Sequence, residues 1–151
     1  MNQILRSLLM LVTVAALVAP ASLSAADEAE LAAIEQTARD YLEGGTNGDV
    51  DRLRRAFHSS CVLKFTRHGA YQEWPVQDYL ARIRPGRRSQ RSTHILFMDF
   101  AGSCAVVKVR IDDGERTFID FLSLLKIDEE WKIVGKIFYR QDLNSATSGG
   151  D

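Results

Sequence analysis

Asp120 is an acid set inside an apolar run, Phe118-Ile119-Asp120-Phe121-Leu122. A carboxylate enclosed by such neighbours has its ionised form desolvated, which raises its pKa and suits it to general-base chemistry. A tyrosine or His58 would be its partner in such a reaction. The alternative is an ion pair at a surface or a dimer face: when the last two strand-like runs are paired antiparallel, Lys136 falls diagonally opposite Asp120. Tyr41, Trp74, Tyr79 and Tyr139 supply aromatic surface for a pocket, or simply core. His58, His68 and His94 are isolated, with no i, i+4 spacing and no cysteine partner, so no metal site is expected. No serine sits in a nucleophile elbow and no glycine-rich loop precedes a helix, so no cofactor is expected either. Arg82, Arg84, Arg87, Arg88 and Arg91 form a basic stretch around Pro85-Gly86, suited to an anion or to plain solvation.

The elements that must position these residues follow from periodicity. Leu31, Ile34, Ala38, Tyr41 and Leu42 recur at three- and four-residue intervals, an apolar helical stripe that Gly44-Gly45 is expected to end. Asp49 reads as the N-cap of a short second helix carrying Val50, Leu53 and Phe57, with His58 just beyond its C-terminus. Cys61–Thr66 reads as a strand, His68-Gly69-Ala70 as a turn, and Pro75 as the first residue of a third helix bearing Val76, Tyr79, Leu80 and Ile83. Thr93–Ala101, Ala105–Ile111, Thr117–Ile127 and Trp131–Arg140 are four strands joined by short polar turns, an antiparallel meander.

A three-residue loop, Asp128–Glu130, would place Ile127 opposite Trp131 in the final hairpin. A two-residue loop would instead scatter lysines among the apolar residues, so the three-residue register is preferred. One face then holds Ile119, Phe121, Leu125, Ile127, Trp131, Ile133, Ile137 and Tyr139, apolar enough to cover the helices. The other holds Phe118, Asp120, Leu122, Leu124, Lys126, Lys132, Val134, Lys136, Phe138 and Arg140, a candidate homodimer surface. Helices followed by such a sheet give an α+β layer fold.

The address is read from the N-terminus. Arg6 precedes an 11-residue apolar run, Leu8–Val18, then Pro20 and the small residues Ser22–Ala26. These are the parts of a signal peptide spanning 1–26, with a cut before Asp27 and a second choice after Ala19-Pro20-Ala21. Eleven helical residues reach only ~17 Å, too short for a bilayer of about 30 Å. A periplasmic or secreted domain over 27–142 with a flexible tail at 143–151 is therefore expected, with no membrane attachment after cleavage. Of the 151 residues, 19 are basic and 20 acidic. Arg6 is the only charge in 1–26, so the mature part has a net charge of −2 and no field that would attract nucleic acid. Cys61 and Cys104 are either one disulfide or two buried thiols.

Several segments in order carry a family resemblance: Tyr41-Leu42-Glu43-Gly44 with Gly48-Asp49, Arg55-Ala56-Phe57-His58, Ala105–Val109, Asp120–Lys126 and Trp131–Phe138. On these the chain resembles the nuclear transport factor 2-like superfamily, and within it the group described as putative lumazine-binding, near the polyketide-cyclase-like members. Trp74, where such proteins often carry a helix-capping serine or threonine, and the basic Arg87–Arg91 stretch depart from the pattern. The resemblance implies a cone-shaped fold, three N-terminal helices packed on a curved, mostly antiparallel sheet. It also implies that any activity lies inside the cone. Asp120 is then the catalytic candidate, and Tyr41, His58, Trp74, Tyr79 and Lys136 the candidate ligand contacts. The fold hosts many functions. A small-ligand binding or accessory domain leads; an isomerase, dehydratase or cyclase-type enzyme using Asp120, and a structural dimerisation module, are the alternatives.

Overall fold

The computed structural model describes residues 24–143. The expected signal peptide 1–26, apart from Ser24–Ala26, and the expected tail 143–151, apart from Leu143, lie outside the described residues. Helix α1 (Ala25–Asn47) opens with a capping box, in which the Ser24 hydroxyl accepts from the Asp27 N–H and the Asp27 carboxylate accepts from the Ser24 N–H. Its buried residues include Ile34, Ala38, Tyr41 and Leu42 of the expected stripe, together with Thr37 and Gly44, while Leu31 is half-buried. The helix does not end at Gly44-Gly45 as expected. It runs on to Gly48, which takes the left-handed conformation (φ 67°) and returns its N–H to the Gly44 carbonyl. Gly44 is small for packing instead, because a Cβ there would lie 2.9 Å from Leu53 Cγ on the next helix. Asp49 caps α2 (Val50–Ala56) through the Arg52 N–H, as its position predicts.

The strands are β1 (Phe57–Arg67), β2 (Ala70–Pro75), β3 (Ser92–Ala101), β4 (Cys104–Asp112), β5 (Arg116–Ile127) and β6 (Glu130–Asp142). They form one sheet in the order β2-β1-β6-β5-β4-β3, antiparallel except for the β1–β6 pair. The third helix, α3 (Val76–Leu80), has only five residues and follows the β1–β2 hairpin. The expectation of three N-terminal helices is therefore corrected to two, with α3 inserted between strands. Helix α1 touches both β6 and the edge strand β3. Those strands sit three places apart, ~14 Å in a flat sheet, so α1 reaches across one face of the sheet from β6 to its edge.

The final hairpin corrects the expected register. Its loop has two residues, Asp128 (φ 49°) and Glu129 (φ 65°), the type I′ geometry that matches strand twist, and Ile127 pairs with Glu130. A one-residue bulge at Val134 then shifts the phase: Leu124 faces Ile133, but Ser123 faces Gly135. Beyond the bulge the pairing is the expected one, with Asp120 opposite Phe138 and Leu122 opposite Lys136. The assignment of faces is inverted for β5 and for β6 beyond the bulge, while Trp131 and Ile133 face the helices as expected. Asp120, Leu122, Leu124, Trp131, Ile133 and Lys136 are buried under the helices, while Phe121, Leu125, Ile137 and Tyr139 are exposed on the outer face. The expectation assumed unbroken alternation, and the bulge breaks it.

Cys61 and Cys104 are free. They sit on β1 and β4, with β6 and β5 between them. Three strand spacings of about 4.8 Å far exceed the ~7 Å Cα limit for a disulfide.

Candidate functional site

Tyr41, Asp120 and Lys136 meet in the interior. Asp120 on β5 and Lys136 on β6 are a diagonal cross-strand pair, and Tyr41 reaches them from the buried face of α1. Lys136 Nζ donates to Asp120 Oδ2 at 2.8 Å and to the Tyr41 hydroxyl oxygen at 2.8 Å. The Tyr41 hydroxyl in turn donates to Asp120 Oδ2 at 2.5 Å. Asp120 is 1% exposed and Lys136 6%. The other carboxylate oxygen, Asp120 Oδ1, is buried with no hydrogen-bond partner among the described residues.

The helix and sheet hold this cluster from both ends of α1. Glu30 accepts from Lys126 Nζ and from the Trp131 indole, which together hold its carboxyl below the usual range. Thr37 Oγ1 donates to the Trp131 carbonyl. At the other end Arg91 donates to Thr46 Oγ1 and to the Leu42 carbonyl, which also accepts from the Thr46 hydroxyl. Part of the basic stretch is thus a strut for α1, and Arg82 lies over the Trp74 ring at 4.4 Å.

Lys136 also lines a cavity of about 440 Å³ that opens between β1, β2, α3 and the inner faces of β5 and β6. Its walls are Leu63, Phe65, Trp74, Tyr79, Phe118 and Phe138. Phe65 stacks on Phe138 with ring centroids 4.6 Å apart and meets Trp74 edge-on at 4.8 Å. The rim carries Arg67, His68, Arg140 and Asp142. The Lys136 ammonium faces the rings of Phe138, Tyr41 and Tyr79 at 4.7, 5.0 and 5.6 Å, attractive contacts for a desolvated cation. Burial first, then the Asp120 charge, pushes the Tyr41 phenol well above its usual range, so it is held as a neutral donor. Burial pushes Tyr79 up to about 12, against an opposing pull from Arg91.

A family model described as "Putative lumazine-binding" matches residues 29–139, most of the chain. The chain belongs to that family. It is also similar to Aldolase FrzH of Cladobotryum sp., 26% identical over 113 residues, which cover 73% of this chain and 90% of that protein. Among solved structures it resembles an NTF2-like protein of unknown function from Shewanella baltica, with TM-score 0.68 and 25% identity, covering 80% of this chain and 98% of that one. A second NTF2-like protein of unknown function, from Silicibacter pomeroyi, has TM-score 0.68 and 22% identity, covering 76% and 98%. The α+β architecture of this lumazine-binding family member is thus the NTF2-like fold.

Of the residues singled out in the sequence, Trp74, Tyr79 and Lys136 line the cavity, and Tyr41 and Asp120 stand behind Lys136. Asp120 is enclosed, as a general base would be, but it also has a cation within hydrogen-bonding reach, so its pair with Lys136 is an interior one and not a surface one. His58 does not join them. Strand β1 begins at Phe57, which turns inward, and His58 alternates away to place Nδ1 2.7 Å from Ser60 Oγ. Sequence reasoning missed Phe65, Phe118 and Phe138 as walls and Arg67 and Arg140 as rim. Alternation from Asp120 and Lys136 was the available signal for the phenylalanines, since Phe118 and Phe138 lie two residues from them. Among the described residues no cluster of three metal-ligating side chains occurs, and no helix is long and apolar enough to cross a membrane.

Proposed function

We propose that the domain binds a small planar, conjugated molecule in the aromatic cavity, with an acceptor oxygen of the ligand seated on Lys136. The observation that carries this reading is the state of Lys136 itself. An ammonium has three donors, and two are committed to Tyr41 and Asp120, leaving one for the cavity that the residue lines. The aromatic walls favour a flat ring system, and a volume of about 440 Å³ is within the range of small-molecule sites. A lumazine, which is a bicyclic ring with carbonyl oxygens, has this chemistry, and the family's description is consistent with it. Calorimetric titration with lumazine is the test. Binding that weakens tenfold or more in Lys136→Met supports the reading; equal binding by both proteins, or none by the wild type, refutes it.

A second reading is enolate chemistry of the aldol or isomerase type. It is favoured by the aldolase-named relative and by a buried cation able to stabilise a developing oxyanion. Exchange of ligand α-protons with deuterated solvent, absent in Lys136→Met, is its test.

Two further proposals concern assembly and address. Phe97, Val106, Phe121, Ile137 and Tyr139 are each about half exposed on the outer sheet face, beside a groove of about 550 Å³. We propose that this face pairs two copies of the chain, to be checked by light scattering on the wild type and Phe121→Lys. The export reading rests on the apolar run Leu8–Val18. A cut after Ala21 would keep the Ser24 cap, worth about 1 kcal/mol, whereas a cut before Asp27 would remove it. Sequencing the N-terminus of the exported protein decides between the two.

A further inference from the structure

The rim of the cavity has a charge character that its floor lacks. At the floor, Lys136 is neutralised by Asp120 at 2.8 Å, so a ligand meets a hydrogen-bond donor there and little net charge. At the rim stand Arg67, His68 and Arg140 with one acid, Asp142. Arg140 is held by Asp142 at 2.9 Å. The Arg67 side chain has no hydrogen-bond or ion-pair partner among the described residues, and it is exposed at the end of β1, beside the two-residue turn of His68 and Gly69. The chain as a whole is slightly acidic, with net charge −1, so this local excess of cation is not a reflection of composition. An aromatic slot with a neutral polar floor and a cationic rim is complementary to a molecule with the opposite layout. Its ring system fills the slot, its acceptor oxygen reaches Lys136, and an anionic group emerges at Arg67.

We infer that the ligand is an aromatic or conjugated acid: a planar ring bearing a carbonyl or phenolic oxygen at one end and a carboxylate, sulfonate or phosphate at the other, with Arg67 selecting the anion. This rests on the binding function proposed above and adds the class of ligand. A guanidinium on a fixed hairpin suits the task, because it offers paired donors to a planar or tetrahedral anion. The contact is solvent-exposed, so it is sensitive to salt, whereas stacking in the slot is not.

The experiment compares two probes that differ only in the anion, 2-naphthol and 6-hydroxy-2-naphthoate, by calorimetry on the full mature protein, with Arg67→Gln and Lys136→Met as variants. The Arg67 side chain is exposed and has no partner among the described residues, so its replacement leaves the fold intact. The expected result is at least tenfold tighter binding of the naphthoate at low salt. That preference should fall to threefold or less in Arg67→Gln and in 0.5 M salt, while 2-naphthol is unaffected by either. Equal binding of the two probes to the wild type, weakened by Lys136→Met, overturns the anion selectivity and leaves the binding function standing. A naphthoate preference that survives in Arg67→Gln overturns the assignment to Arg67. Failure of both probes to bind overturns the ligand class and the binding function together.

Discussion

Removing both members of the buried ion pair should cost clearly less than the sum of removing each alone. At 2.8 Å and an effective dielectric of 20, the Coulomb attraction between Asp120 and Lys136 is roughly 6 kcal/mol, most of it offset by the loss of hydration of two buried ions. The intact pair is thus worth little net, yet each half alone is an uncompensated charge, which costs about 3–5 kcal/mol. The two halves are not equivalent. In Asp120→Asn, Lys136 keeps the Tyr41 oxygen and three aromatic rings within 4.7–5.6 Å, worth up to ~2 kcal/mol. In Lys136→Met, Asp120 keeps only the Tyr41 hydroxyl, and its Oδ1 already lacks a partner. Lys136→Met should therefore destabilise by about 3–5 kcal/mol, lowering the melting temperature by roughly 10–20 °C, and Asp120→Asn by about 2–3 kcal/mol. The double variant should fall short of the sum by ~2 kcal/mol or more, measured by urea unfolding of all four proteins. Additivity within ~0.5 kcal/mol, or a larger loss in Asp120→Asn than in Lys136→Met, would refute this account.

Glu129→Gly should stabilise the protein by roughly 1 kcal/mol in urea unfolding, because Glu129 holds φ 65° in the β5–β6 turn and glycine relieves that strain. The ion pair it gives up, to Lys126 at 3.2 Å, leaves Glu129 92% exposed and contributes little. In native protein at pH 8 a thiol reagent should label Cys104 and spare Cys61 until the chain unfolds, since Cys61 is buried and its thiol is pushed up to about 11. Alkaline unfolding should set in above pH 10. The Tyr41 and Tyr79 phenols have folded values raised above the usual 10, so the stability they contribute is complete below pH 10. It is lost as pH rises toward and past about 12, followed by circular dichroism against Tyr79→Phe.

What could be read from residue types was set by local rules. The apolar stripe of α1 has one period throughout, and the Asp49 cap needs only its own three neighbours, so both are legible from spacing. The end of α1 was not, because Gly44 looks like a stop signal and its real reason is Leu53, nine residues away on another helix. The β1–β6 parallel pair joins residues more than seventy positions apart, and no turn chemistry announces it. The site divides in the same way. Asp120 announces itself as a charge in an apolar strand and Lys136 as its diagonal neighbour, whereas Arg67 gains meaning only once the β1–β2 hairpin is folded over the cavity mouth.

The bulge at Val134 is the point on which the chemistry of the interior turns. Trp131 and Lys136 are five residues apart on β6, an odd interval that would put them on opposite faces of a regular strand. Both are buried, at 4% and 6% exposure. One extra residue between them reverses the phase, so Trp131 and Ile133 close the end of the core against α1 while Lys136 and Phe138 face the cavity. Across from them β5 runs without its own insertion, keeping Phe118, Asp120, Leu122 and Leu124 on one inner face. Lys136 can therefore meet Asp120 only because β6 is irregular and β5 is not. An unbroken β6 would leave the carboxylate buried alone or turn the core-closing tryptophan out to solvent. The irregularity is consequently a requirement of the site.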